Sequence, residues 1–151
     1  MVIFSLCMLI TISGCQTSGE AVTSNEFVKQ FITNFLSFKY QEHETQQMSQ
    51  AKLSEKIGSY FNETGYSEFT KYNYIAIPTK IGEHYKSNVS VTNIRLEETY
   101  NEVSSVGYIA DIELESSLDI IELKLRIRIK NENNNWKIYS IRFINIDELI
   151  S

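Results

Sequence analysis

Two apolar rhythms divide the chain, and they predict helices in its first part and strands in its last. After Thr23, the residues Phe27, Phe31 and Phe35 recur every four positions beside Val28, Ile32 and Leu36. That spacing lays two adjacent apolar rows along one side of a helix. Thr23-Ser24-Asn25-Glu26 opens it as a capping box, Ser/Thr followed three residues later by Glu, and the pattern predicts a helix to about Glu42. Residues 43–63 read as further helix, with Leu53, Ile57, Tyr60 and Phe61 on one face. Gln46, Gln47, Gln50, Lys52, Glu55 and Lys56 form its wet face. Between Asn62 and Asn88, Gly65, Pro78 and Gly82 punctuate an aromatic-rich stretch containing Tyr66, Phe69, Tyr72, Tyr74 and Tyr85. Within it Tyr74-Ile75-Ala76-Ile77 is expected as a short strand that stops before Pro78.

From Val89 the period becomes two. Val89 and Val91, then Ile94 and Leu96, alternate with a phase slip near Thr92-Asn93, the mark of a β-bulge. Val106, Tyr108, Ala110, Ile112 and Leu114 alternate cleanly, as do Ile121, Leu123, Leu125, Ile127 and Ile129. A fourth strand is expected over residues 136–146 with Tyr139, Ile141 and Phe143 on one face. Turns are expected at Tyr100-Asn101-Glu102, at Ser116-Ser117 near Asp119, and at Asn131-Glu132-Asn133-Asn134-Asn135. Such short breaks join antiparallel neighbours. The expected fold class is therefore α+β: N-terminal helices packed on a four-stranded antiparallel sheet, with the Phe-rich helix covering its apolar face.

The first residues follow neither rhythm. Residues 1–14 carry no charged side chain and are almost wholly apolar from Val2 to Ile12. This is too short for a membrane anchor but fits the apolar centre of a signal peptide. It ends in Ile12-Ser13-Gly14-Cys15, followed by Gln16-Thr17-Ser18-Gly19-Glu20. An aliphatic residue, two small residues and a cysteine resemble the lipobox of bacterial prelipoproteins. The resemblance implies diacylglyceration of the Cys15 thiol and cleavage of the Gly14–Cys15 bond. It divides the chain into a signal peptide (1–14), a lipidated tether (15–23) and one domain (24–151). A signal peptide ordinarily opens with Lys or Arg. Here only the α-amine is positive, which points to a start a few codons upstream.

The element order, and the closing Asn135-Trp136-Lys137-Ile138 with Trp after an Asn-rich turn, resemble the cystatin-like cone fold of the nuclear-transport-factor-two superfamily. In that fold helices pack into a curved antiparallel sheet. In size and tether the chain also resembles VirB-eight-like and TcpC-like conjugation proteins and small transfer lipoproteins of Gram-positive plasmids. The resemblance implies a lipid-anchored adaptor on the extracytoplasmic face of the cell membrane, touching subunits of a conjugative, type IV secretion complex. Two alternatives stay open: a lipoprotein binding a small ligand or peptide, with the aromatics of residues 66–85 at the cone mouth, and an immunity or exclusion lipoprotein.

Composition narrows the chemistry. A formal net charge of −5 makes non-specific nucleic-acid binding a poor expectation. Of the two cysteines, Cys7 leaves with the signal peptide and Cys15 is acylated, so the domain keeps neither thiol nor disulfide. His43 and His84 lack the partners that a metal or catalytic site requires. No catalytic residue, metal or cofactor is therefore expected, and the oligomeric state is left open. Asp111, Glu113 and Glu115 alternate on the wet face of the second strand, with Lys124, Arg126 and Arg128 on that of the third. Cross-strand ion pairs between these sets are expected. Arg126 and Arg128 are the candidate contacts to a partner protein.

Overall fold

A computed structural model of the chain describes residues 22–146. Among these, α1 (Ser24–Leu36), α2 (Gln46–Ile57), α3 (Glu63–Lys71) and α4 (Ile77–Tyr85) all precede β1 (Ser90–Glu102), β2 (Ser105–Glu115), β3 (Ile120–Glu132) and β4 (Asn135–Phe143). The strands form one antiparallel sheet in the order β1-β2-β3-β4. The fold is α+β, helices first, as the two rhythms predict.

The capping box is present at Thr23. Its amide donates to Glu26 Oε2 at 3.0 Å, and the Glu26 amide donates to Thr23 Oγ1 at 3.3 Å. Val28, Phe31, Ile32, Phe35 and Leu36 are buried, so both predicted apolar rows of α1 face the core. The helix stops six residues short of Glu42. There Phe38 and Val89 exchange backbone bonds of 2.9 Å in each direction, and the chain becomes a short rung beside β1.

The expected helix over 43–63 is α2 followed by a 3-10 turn, Gly58–Tyr60. The stretch after it contains helix where punctuation suggested loop and strand. Asn62 caps α3 by accepting from the Gly65 amide at 2.9 Å. Tyr74–Ala76 is a 3-10 turn rather than a strand, and Ile77 begins α4 with Pro78 in its first turn. Proline suits that position, because the first helical amides have no partner inside the helix and its φ is already helical. His84 accordingly lies in the last turn of α4.

In the sheet, the register slips at Thr92, as predicted, and again at Thr99. The first hairpin turns at Val103 and Ser104, three residues beyond Tyr100, so Tyr100-Asn101-Glu102 belongs to β1. The last hairpin turns on Asn133 and Asn134, with φ of 52° and 64°. Two successive left-handed residues make the tight turn that matches strand twist, and asparagine tolerates them. β4 ends at Phe143 and slips register at Tyr139: Arg128 pairs with Ser140, but Ile129 with Ile138. Ile138, Ile141 and Phe143 are therefore the buried residues of β4, and Tyr139 is not aligned with them.

The inner sheet face, from Val106 to Leu114 on β2 and Ile121 to Ile129 on β3, forms one core with Phe31, Phe35, Phe61 and Phe69. The edge at β4 is closed. Asn62 donates to the Ile138 carbonyl at 3.1 Å, and Gly65 lies so close that a Cβ would overlap that carbonyl oxygen. The edge at β1 is covered at its start, where Val89 meets Phe38 and the Val91 amide donates to Ser37 Oγ at 3.4 Å.

Candidate functional site

The outer face of the sheet concentrates the charged residues singled out above, and strand register decides which of them meet. Arg95, Asp111 and Lys124 lie side by side on β1, β2 and β3. Arg95 Nη2 approaches Asp111 Oδ2 at 2.7 Å, and Lys124 Nζ approaches Asp111 Oδ1 at 3.0 Å. Hydrogen bonds from Arg95 and then Lys124 hold the Asp111 carboxyl below its ordinary pKa. At this exposed position the pairs add at most a few tenths to about 1 kcal/mol.

The rest of the expected ladder does not form. Arg126 stands opposite Ile109 and Arg128 opposite Gly107, while Glu113 faces Glu122 and Glu115 faces Ile120. On the other side, Arg126 is directly opposite Arg142 and Lys130 is opposite Lys137. Among the described residues, the ion pairs within 4.0 Å leave out Arg126, Arg128, Lys130, Lys137 and Arg142. Lys137 instead donates to the Ser59 carbonyl at 2.5 Å. Like charges directly opposite one another destabilise a sheet. The β3/β4 half of this face is thus a basic strip in an acidic chain, and β1 carries Glu97 and Glu102 in the same rows.

An aromatic bridge crosses the strip. Tyr100 on β1 and Tyr139 on β4 meet hydroxyl to hydroxyl at 2.5 Å. Burial and the bond to Tyr139 push the Tyr100 hydroxyl up to about 12, with nearby Arg128 pulling the other way. Gly107 makes room, since a Cβ there would overlap the Tyr100 ring. Spacing alone puts Tyr100 in a turn and Tyr139 on the core face, which hides the bridge. The available signal was Gly107, an isolated glycine in a strand pattern, which marks close approach by a neighbour.

A second feature lies where α3 and α4 meet the end of β4. A cleft of about 520 Å³ is lined by Tyr72, Tyr74, Ile77, Phe143 and Ile144, with Lys80 and Arg142 among its polar residues. Tyr72 and Tyr74 stack at 5.6 Å. Of the aromatics expected at a mouth, these two line the cleft, whereas Phe69 is fully buried.

His43 is exposed before α2, and the His84 ring packs on Tyr85 at 4.8 Å. Among the described residues no three His, Cys, Asp or Glu side chains gather as a metal site, and no helix is long and apolar enough to cross a membrane. Gly14, Cys15 and the signal peptide lie outside the described residues.

No protein-family model matches the chain, and no curated protein matches it. Among solved structures it is similar to an IcmL-like type IV secretion system protein from Legionella pneumophila subsp. pneumophila str. Philadelphia 1. The identity is 12%, the TM-score 0.59, and the match covers 78% of this chain and 87% of that one. It also matches a periplasmic fragment of TraM at 10% identity and a TM-score of 0.49, over 79% of this chain and 93% of that one. At such identities the likeness is one of fold.

Proposed function

We propose that the chain is a lipid-anchored, extracytoplasmic adaptor of a type IV secretion complex of the conjugative kind, acting by protein contacts rather than by catalysis. The observation that carries the secretion part is the fold shared with the IcmL-like protein over most of both chains. The lipobox at Ile12-Ser13-Gly14-Cys15 supports the anchor. After cleavage, a tether of about eight residues would extend on the order of 15 Å, at roughly 5–6 Å × √n. The domain would then meet membrane-proximal partners. Arg126 and Arg128, exposed on β3 and outside the ion pairs of the described residues, are the proposed contacts to those subunits. Exposed charges of this kind steer encounter and orientation more than they add affinity.

The anchor is tested by Cys15→Ser. A hydroxyl does not replace the acylated thiol, so the variant should accumulate as an uncleaved precursor without lipid. Metabolic labelling with a fatty acid such as palmitate reads this directly, and label retained on the variant contradicts the anchor. In the same strains, plasmid transfer should fall on deletion of the gene and return with the wild-type copy; unchanged transfer on deletion removes the conjugative role.

The cleft beside Tyr72 and Tyr74 favours one second reading, a site for a small ligand or peptide. Its volume falls in the ordinary range for ligand pockets. A ligand retained in native mass spectrometry of the purified protein would support that reading over the adaptor.

A further inference from the structure

The outer sheet face is divided by charge along a line between β2 and β3, and the division is self-complementary. On the β1/β2 side its outward charges are Glu97, Glu102, Asp111, Glu113 and Glu115 against Arg95; on the β3/β4 side they are Lys124, Arg126, Arg128, Lys130, Lys137 and Arg142 against Glu122 and Glu132. Register places these in rows: Glu97-Ile109-Arg126-Arg142, then Tyr100-Gly107-Arg128-Ser140, then Glu102-Ser105-Lys130-Lys137. A twofold axis parallel to the strands, lying between β2 and β3, exchanges β1 with β4 and β2 with β3 while keeping each row. It sets Glu97 over Arg142 of a second copy, Glu102 over Lys137, and Asp111 over Lys124, with one like-charge contact, Glu113 over Glu122, toward the end of the face. The middle row holds the Tyr100–Tyr139 bridge. The two bridges would therefore meet at the centre, with a charged row on either side. An aromatic centre with a polar rim is the usual plan of a specific interface.

We infer that the outer sheet face pairs with the same face of a second copy of this chain through that twofold axis. This rests on reading the face as a docking surface, but not on the secretion role. It gives Arg142, which faces Arg126 within one copy, an acidic partner that the described residues of that copy do not supply, and it brings Glu102 to Lys137 beside the Ser59 carbonyl that Lys137 already meets. Strands about 4.8 Å apart, with a rise of about 3.3 Å per residue, make the shared face roughly 400–500 Å² per copy. That is below the ~800 Å² per partner of stable complexes. The pairing is weak in dilute solution and is favoured where lipid anchors concentrate copies on one membrane.

The test uses the full-length chain carrying either of two tags. Both forms are co-expressed in a host without the transfer genes, solubilised in neutral detergent, and pulled down by one tag. Wild-type copies should capture each other at low salt and release as salt rises toward 1 M, where the screening length falls to about 3 Å. Arg142→Glu with Lys137→Glu should lower self-capture by about tenfold or more, the effect of about 1.4 kcal/mol. Glu97→Lys with Glu102→Lys should do the same. Mixing these two variants, or combining all four changes in one chain, should restore capture, while the fourfold variant should not capture wild type. Unchanged thermal melts exclude unfolding as the cause. Self-capture indifferent to either reversal overturns the inference. So does a wild-type chain that stays single but binds vesicles of anionic phospholipid, which would turn the basic strip toward lipid. If self-capture is absent while crosslinks to other subunits in cells still depend on Arg126 and Arg128, the second copy is wrong and the docking face stands.

Discussion

Phe31→Ala is expected to lower unfolding free energy by about 3–5 kcal/mol, a large part of the 5–15 kcal/mol typical of a whole domain. Phe31 is fully buried at the middle of α1. Its ring stacks on Phe35 at 5.6 Å, meets Phe61 edge-on at 5.4 Å and lies against Tyr60 at 5.6 Å. Removing it opens a cavity where α1, the turn after α2 and the sheet converge, and rigid neighbouring rings fill such a gap poorly. Lys130→Ala is the control. Its side chain is exposed on the outer face, where changes stay within about ±0.5 kcal/mol. Urea denaturation of both variants compares them. Equal midpoints would mean that the inner and outer faces have been assigned wrongly.

Gly65→Ala is the second large effect, and its sign reverses the usual rule. Within a helix, glycine to alanine ordinarily stabilises by about 1 kcal/mol. At Gly65 the added methyl would overlap the Ile138 carbonyl oxygen and crowd the Tyr139 Cα, all of it backbone that no rotamer change can move aside. α3 must lift from β4, stretching the 3.1 Å bond from the Asn62 amide to the Ile138 carbonyl. Overpacking of this kind costs about 1–3 kcal/mol. Hydrogen exchange should show faster exchange at the Asn62 amide together with a lower melt. A stabilised variant would place α3 farther from β4 than described.

These two residues also mark what can be read from sequence. Phe31 lay in a periodic row, and both rows of α1 and the inward residues of β2 and β3 followed from spacing alone. In the sequence Gly65 and Pro78 look like breakers, because spacing cannot tell a glycine that ends a helix from one that lets it touch a strand. Nor can it tell a proline that stops a strand from one that starts a helix. The chemistry of the outer face was partly legible. Alternation put the acids and bases on the wet side, but pairing depends on register, and register depends on where the chain turns. Placing Tyr100 in a turn hides the true hairpin at Val103 and Ser104 and with it the bridge to Tyr139, while the pairing of Arg126 with Arg142 depends on the last hairpin and on the register slip at Tyr139. The bulge at Tyr139 left no periodic signal, since one inserted residue in a strand of nine looks like noise.

The adaptor reading is tested most directly by crosslinking in cells that carry the transfer apparatus, comparing wild type with the double reversal Arg126→Glu and Arg128→Glu. Both side chains are exposed on β3, and Arg126 stands beside Arg142, so reversing it relieves a like-charge contact within the chain. The melt should hold, while crosslinks to membrane-complex subunits should fall, with a dependence on salt in membranes prepared from the same cells. Crosslinks unchanged in pattern and strength, with the melt also unchanged, would contradict docking through this face and leave the cleft beside Tyr72 and Tyr74 as the better site.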